Sequence, residues 1–548
     1  MTAAPAPRLN RTARREHESI TREAPAPTHP DVRAEIGIPV AAHDGTPLLT
    51  DHWFAEGAGD TTLLIRTPYG RENIAGVAQF FAERGHHVVV QSCRGTFGSG
   101  GTFNPLHDEA ADGQATLAWL RAQPWATGMV LSWGGSYFGV TQWAMCEGPL
   151  RPDAMGIAVS ARRFDEAIIY DGGGFSIDTV LSWALALDLQ EQRPLGRIWR
   201  MLRAFWRLRR ASLAVPPTTA TRVLHTPGAR FVGDWLAHAD AGDPWWTPLH
   251  FADDVSTIPP TVLVAGWQDL FLDAQLDDYR ALRDGGAAVR LIIGDWRHGE
   301  PETIRLGVHE ALSGFADPTA GVSVRVEVTG GAGWRDLEQW PPASTPEAWE
   351  ASPDGALRAV DASAPSMLPS ATLGYRYDPA DPTPDGGGRT LNPFSAGRRN
   401  QAKREQRDDV LVFTADPLAA DLVVLGTPEV EFTLTSTNPR VDVFVRLCEV
   451  DDRGVSTTIS DGYRRLDPAG DDTTASRRLR LPLSPIAHRF SAGRRLRLQV
   501  SSGAHPLHLR NPGTADPVRD FSELRPSDQT VGFGGADALR ITLPAVER

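Results

Sequence analysis

The sequence predicts an α/β protein in which a parallel sheet carries an inserted helical cap and is followed by an antiparallel β-sandwich. Three observations predict it. Short apolar runs alternate with helical spacing through the first third of the chain, the alternation stops between about 148 and 250, and period-two runs take over beyond about 346.

The short apolar runs in "TLLIR" (62–66), "HVVVQS" (87–92) and "MVLSW" (129–133) look like strands buried on both faces. Between them, "NIAGVAQFFAERG" and "EAADGQATLAWLRAQ" carry helical spacing. No convincing strand run occurs over 148–250, which reads as a helical cap. "TVLVAGW" (261–267), "VRLIIGDW" (289–296) and "VSVRVEV" (322–328) then resume the strands. Later, Val430, Phe432 and Leu434 alternate with polar residues, as do Leu479, Leu481 and Leu483, and Leu496, Leu498 and Val500. Such alternation with Pro/Gly/Asp turns indicates a sandwich, with "DPTPDGGGR" (381–389) as an early loop. The expected organisation is a flexible tail over 1–33, a catalytic α/β domain over 34–147 and 251–345, the cap over 148–250, and the sandwich over 346–548.

Composition narrows the function. The chain has 548 residues, too many for one core, and a formal net charge of −13, the wrong sign for a phosphate-backbone binder. Cys93, Cys146 and Cys448 are few and far apart, so neither a disulfide framework nor a metal-ligand spacing is present, and a cytoplasmic location is expected. Arg8, Arg11, Arg14 and Arg15 have no apolar stretch behind them, and no run reaches the ~18 apolar residues of a membrane span. The basic amphipathic segment "RIWRMLRAFWRLRR" (197–210) reads as a cap helix rather than a lipid-binding one.

The chemistry centres on "LSWGGSYFGVTQW" (131–143). Ser136 stands behind two glycines at a strand-to-helix turn, where an α/β-hydrolase exposes its nucleophile. The general elbow G-x-S-x-G is altered here, with Phe138 in the fifth position and glycine at 139. A serine hydroxyl needs a base, an orienting acid and an oxyanion site. Asp269 in "VLVAGWQDLF" and His298 in "LIIGDWRHGE" follow successive strands in the required order. Asp273 and Asp295 are fallback acids, and His107, His250 and His309 weaker bases. The peptide N–H of Tyr137 and the phenol of Tyr69, in "LLIRTPYGREN", are candidate oxyanion donors.

These segments resemble the cocaine esterase and X-prolyl dipeptidyl-peptidase family of serine hydrolases (the CocE/NonD type). The resemblance rests on "RTPYGR", "VVVQSCRGTFGSGGTF", "WGGSYFGVTQW", "AGWQDLF" and "GDWRHGE", and later on "GAGWRDLEQWPP", "YRYDPADPTP" and "VSSGAHPLHLRNPGT". It runs from about residue 36 to the C-terminus and is thinnest in the cap. It implies an α/β-hydrolase fold with inserted cap and C-terminal jelly roll, and identifies Ser136 as nucleophile, Asp269 as acid, His298 as base, and Tyr69 with the Tyr137 N–H as oxyanion hole. It also implies that Phe138, Trp183 and Phe271 wall an acyl pocket, and that Arg94 holds its loop through a carboxylate.

The expected activity is hydrolysis of a carboxylic ester or amide with a small hydrophobic or aromatic acyl group, through an acyl-enzyme and without metal or organic cofactor. An X-prolyl dipeptidyl aminopeptidase, or an α-amino acid ester or β-lactam acylase, is the alternative. Either would need carboxylates for a free amine, and the cap offers Asp165, Glu166, Asp171 and Asp178. An inert hydrolase domain beside a sugar-binding jelly roll is disfavoured by the intact Ser136–Asp269–His298 set. The expected partner is a small-molecule substrate, with no nucleic acid and no membrane; sequence leaves the oligomeric state open.

Overall fold

A computed structural model describes residues 4–191, 206–226, 229–238, 243–314, 323–466 and 476–547. The chain divides into two compact units, one of Met1–Phe164, Pro244–Gly266 and Ala274–Arg325, the other of Asp165–Asp243, Trp267–Asp273 and Val326–Arg548.

The first unit is built on a twisted sheet. Its strands include β1 (Val32–Ala41), β2 (Pro47–Ala55), β3 (Thr62–Thr67), β4 (His87–Ser92), β5 (Val130–Gly135), β6 (Ala154–Ala158), β7 (Thr261–Gln268) and β8 (Val289–Arg297). They lie in the order β1-β2-β4-β3-β5-β6-β7-β8. β1 and β2 pair antiparallel, as do β2 and β4, whereas β3 is parallel to β4 and β5, and β6 to β5 and β7. The continuous apolar runs mark this parallel part: every residue of β3, β4, β5 and β6 is buried. Helices α1 (Arg11–Thr21), α2 (Arg71–Ala82), α3 (Glu109–Arg121) and α4 (Tyr137–Met145), with Leu272–Asp284 and Pro301–Gly314 later in the chain, supply the crossovers and cover.

Two findings depart from the sequence reading. β6 lies inside the stretch expected to be strand-free; five residues with a central glycine (AMGIA) give no period to read. The expected flexible tail contains α1. The Asn10 side chain caps it by accepting from the Ala13 N–H, and Ala13 and Ile20 are buried in one cluster with Ile74, Val77 and Phe80 of α2. Helix α2 presents Gly76 at the crossing, where a Cβ would stand 2.2 Å from the Ala13 carbonyl oxygen. Only glycine permits so close an approach.

The second unit holds the long α5 (Ile177–Gln190) and a largely antiparallel β-sandwich. Glu429–Ser436 pairs antiparallel with Arg477–Pro482, Ser527–Phe533 and Arg540–Ala545. Val441–Val450 pairs with Ser456–Leu466 and Arg495–Ser501. The alternating residues read from sequence, Phe432, Leu481, Leu498 and Val500 among them, fill one core. Most of the basic segment 197–210 lies outside the described residues; 206–212 is helical. Among the described residues no helix is long and apolar enough to cross a membrane.

Candidate active site

Ser136 lies between β5 and α4, as the residue capping α4, with φ 54°, ψ −135°, a positive-φ conformation that a non-glycine residue adopts only under constraint. The constraint is visible. The Ser136 N–H donates to the carbonyls of Ala158 (3.0 Å) and Val159 (3.2 Å), tying the turn to β6 and the residue after it. A Cβ on Gly134 would stand 2.1 Å from the Phe138 carbonyl oxygen, and one on Gly139 would stand 2.5 Å from the Ser160 Cβ. Glycine is therefore needed at 134 and 139. Position 138 takes a side chain, because the close approach falls one residue later than in the general elbow.

The hydroxyl so presented has a base beside it. His298, just past the end of β8, places Nε2 3.0 Å from the Ser136 Oγ. That is hydrogen-bond reach for proton transfer from serine to imidazole. Asp269 follows the end of β7, the strand next to β8, and is wholly buried; its Oδ1 accepts from the Phe271 N–H at 2.8 Å. Tyr137 is the first residue of α4, at the pole where backbone N–H groups favour negative charge. Tyr69 follows β3; the Asn73 side-chain amide donates to its carbonyl (2.7 Å), and its ring meets Phe138 edge-on at 6.0 Å.

The X-Pro dipeptidyl-peptidase (S15 family) profile matches residues 44–300, and the X-Pro dipeptidyl-peptidase C-terminal non-catalytic domain profile matches 314–542. The chain belongs to the S15 family. Its S15 domain carries Ser136 and His298, and a cocaine esterase from Rhodococcus sp. is 28% identical over 482 residues, 79% of this chain and 83% of that one. Among solved structures, an aminopeptidase from a marine sediment Thaumarchaeota archaeon superposes with TM-score 0.78 at 20% identity, covering 96% of this chain and 98% of its own. An α-amino acid ester hydrolase gives 0.76 at 20% identity over 95% and 98%. These likenesses establish an α/β-hydrolase fold with a strand-rich C-terminal domain, and the S15 relatives make the chain a hydrolase of the esterase and peptidase kind.

Other expectations for the S15 domain resolve residue by residue. Arg94 pairs with Asp112 (2.7 Å) and Asp44 (2.8 Å), holding its loop through carboxylates and holding the exposed Asp44 below the usual carboxylate range. The fallback residues are employed elsewhere. His309 lies 2.5 Å from the Ile20 carbonyl, His250 sits against Arg163, His107 meets Trp245 edge-on, and Asp273 pairs with Arg389 at 2.8 Å. Asp295 is exposed on β8. Phe138 is buried between Tyr69 and Trp133, Trp183 packs on Phe231 and Trp235, and Phe271 is buried beside Asp269. Of the acidic cap residues, Asp165 and Asp178 are buried, while Glu166 and Asp171 are exposed.

Sequence reasoning missed the support beneath Tyr137. Its buried phenol donates to Glu109 Oε1 (3.1 Å) and accepts from the Leu106 N–H (2.7 Å). Glu109 pairs in turn with Arg66 at 3.1 Å, and Arg66 also donates to the Glu109 carbonyl (2.9 Å) and to Gln91 Oε1 (3.0 Å). Burial opposes the Arg66 charge, yet the adjoining Glu109 carboxylate raises its pKa above the ordinary value. A signal was available: an arginine inside the buried strand TLLIRT requires a buried partner.

Proposed function

We propose that this chain hydrolyses a carboxylic ester of a small hydrophobic or aromatic acid through an acyl-enzyme. In this reading Ser136 is the nucleophile, His298 the base that takes its proton and returns it to the leaving group, and Asp269 the acid that fixes the imidazole tautomer. The Tyr69 phenol and the Tyr137 N–H receive the tetrahedral oxyanion, and Phe271, Trp183 and Phe138 border the acyl group. The observation that carries the reading is the 3.0 Å approach of His298 Nε2 to a Ser136 hydroxyl held at positive φ. The cocaine esterase relative supports an ester substrate.

The S15 profile favours a second reading, release of an X-Pro dipeptide. One panel separates the two: aryl esters of short, long and aromatic acids together with an alanyl-prolyl anilide, given to wild type and Ser136→Ala. Ester cleavage that disappears in Ser136→Ala supports the esterase. Cleavage of the anilide alone supports the peptidase, and activity surviving in Ser136→Ala refutes both assignments of the nucleophile.

A further inference from the structure

The second unit holds a partly open cavity of about 450 Å³, within the size range of small-molecule sites. Its lining comes from α5, from the helical turn around Leu208 and Ser212, and from sandwich loops near 380–395 and 505; none of Ser136, Asp269, His298 or Tyr69 lines it.

Two buried carboxylates line this space. Asp178, on α5, accepts from the Thr390 hydroxyl (2.9 Å) and the Asn392 amide (3.3 Å). Asp385 is 8% exposed, and its Oδ2 has no hydrogen-bond partner among the described residues. Neither forms an ion pair among those residues. Arg209 also lines the cavity, and the charges of Arg446 and Arg404 act on Asp385, but their hydrogen bonds go elsewhere: Arg446 donates to the Asp385 carbonyl (2.6 Å), the Gly387 carbonyl (2.8 Å) and Asp461 (2.9 Å), and Arg404 donates to the Pro384 carbonyl. Burial pushes Asp178 up to about 6, and burial with the neighbouring Asp178 carboxylate pushes Asp385 up to about 7. His505, which meets the Ser212 hydroxyl at 3.2 Å, is driven down to about 3 by burial, so it stays neutral and offers no compensating charge. An unpaired buried carboxylate is costly, and a cation in the adjoining space would relieve it.

The rest of the lining fixes the kind of cation. A metal ion of the calcium type needs six to eight oxygen ligands, whereas Pro382, Pro384, Pro506 and Leu213 make much of the wall apolar. Phe394, 67% exposed, lies between the lining residues Asn392 and Ser395. Prolines, leucine and a neighbouring aromatic ring suit a hydrocarbon body with one charged end. We propose that this cavity binds an organic amine as its ammonium ion, the nitrogen against Asp385 and Asp178 and the apolar body along the proline wall.

The test is calorimetric titration of the full chain at pH 8 with 2-phenylethylamine, and with 2-phenylethanol as its uncharged counterpart. The amine should bind saturably with one site per chain and the alcohol at least tenfold more weakly. Asp385→Asn should weaken the amine tenfold or more. Ala380→Trp, at an exposed lining position, should weaken it similarly by filling the space, and stands in if Asp385→Asn is misfolded. No saturation by the amine overturns the proposal, as does equal binding of the alcohol or undiminished affinity in both variants. Calcium chloride binding that is lost in Asp385→Asn, with no amine binding, would make the site metallic and overturn it too.

Discussion

Replacing Glu109 by alanine should destabilise the first unit by about 3–5 kcal/mol, the usual consequence of removing one partner from a buried ion pair. The upper part of that range applies here. The Arg66 side chain is 0% exposed, so no water can substitute for the lost carboxylate, and the Tyr137 hydroxyl loses its acceptor in the same step. For a unit of 150–250 residues, 1 kcal/mol shifts the melting midpoint by roughly 2–4 °C, so a loss of about 4–5 kcal/mol gives a fall of about 8–20 °C. Two units can melt separately, so the assay should follow the first one by hydrogen exchange at β3 and β5 during thermal or urea unfolding. The double variant Arg66→Met/Glu109→Leu supplies the control, because removing both charges should recover at least half the loss. A fall below about 3 °C for Glu109→Ala, or a double variant no better than the single one, would refute the view that Arg66 depends on this carboxylate.

Three further outcomes are expected. Tyr69→Phe should lower kcat on the best ester by about 10²–10³ with little change in thermal midpoint, as loss of one oxyanion donor does; unchanged kcat would remove Tyr69 from the site. Asp269→Asn should leave the fold intact and lower kcat by about 10⁴ through the wrong imidazole tautomer, and steady-state kinetics showing less than a tenfold drop would reassign the acid. His52 is stacked on Phe54 and Trp125 and pushed down to about 3, by burial first and by His87 second. It is thus neutral in the fold and protonates more readily once unfolded. Its contribution to stability is present above about pH 6.5 and is lost as pH falls toward 3. His52→Phe should flatten the fall in melting midpoint between pH 6.5 and 4, and parallel curves for the two proteins would show that another group governs acid lability.

How much of this was legible depended on whether a residue's constraint was local. β3, β4 and β5 announce themselves because burial on both faces gives consecutive apolar residues (Leu63, Leu64 and Ile65; Val88, Val89 and Val90; Val130 and Leu131) in place of alternation. Ser136 was legible because its backbone needs glycines within three residues on either side, and His298 because it immediately follows an apolar strand. β6 was not, being too short to show a period. The burial of α1 depends on Gly76, more than fifty residues away, and nothing in its arginine- and glutamate-rich sequence reveals that. The Arg66–Glu109–Tyr137 chain is similarly long-range: three separate segments must fold before its charges meet.

Helix α1 has a practical consequence for anyone redesigning this chain. It resembles a dispensable leader in composition, yet it covers Ile74, Val77 and Phe81 of α2 and is held at its edges by Asn10 on the Glu72 carbonyl and His17 on Glu83. A shortened protein beginning at β1 would keep the Ser136–His298 pair while laying bare an apolar helix face. Such a face promotes self-association. The same protein would then pass a dilute activity assay and precipitate when concentrated, a failure of solubility that looks unrelated to the residues removed.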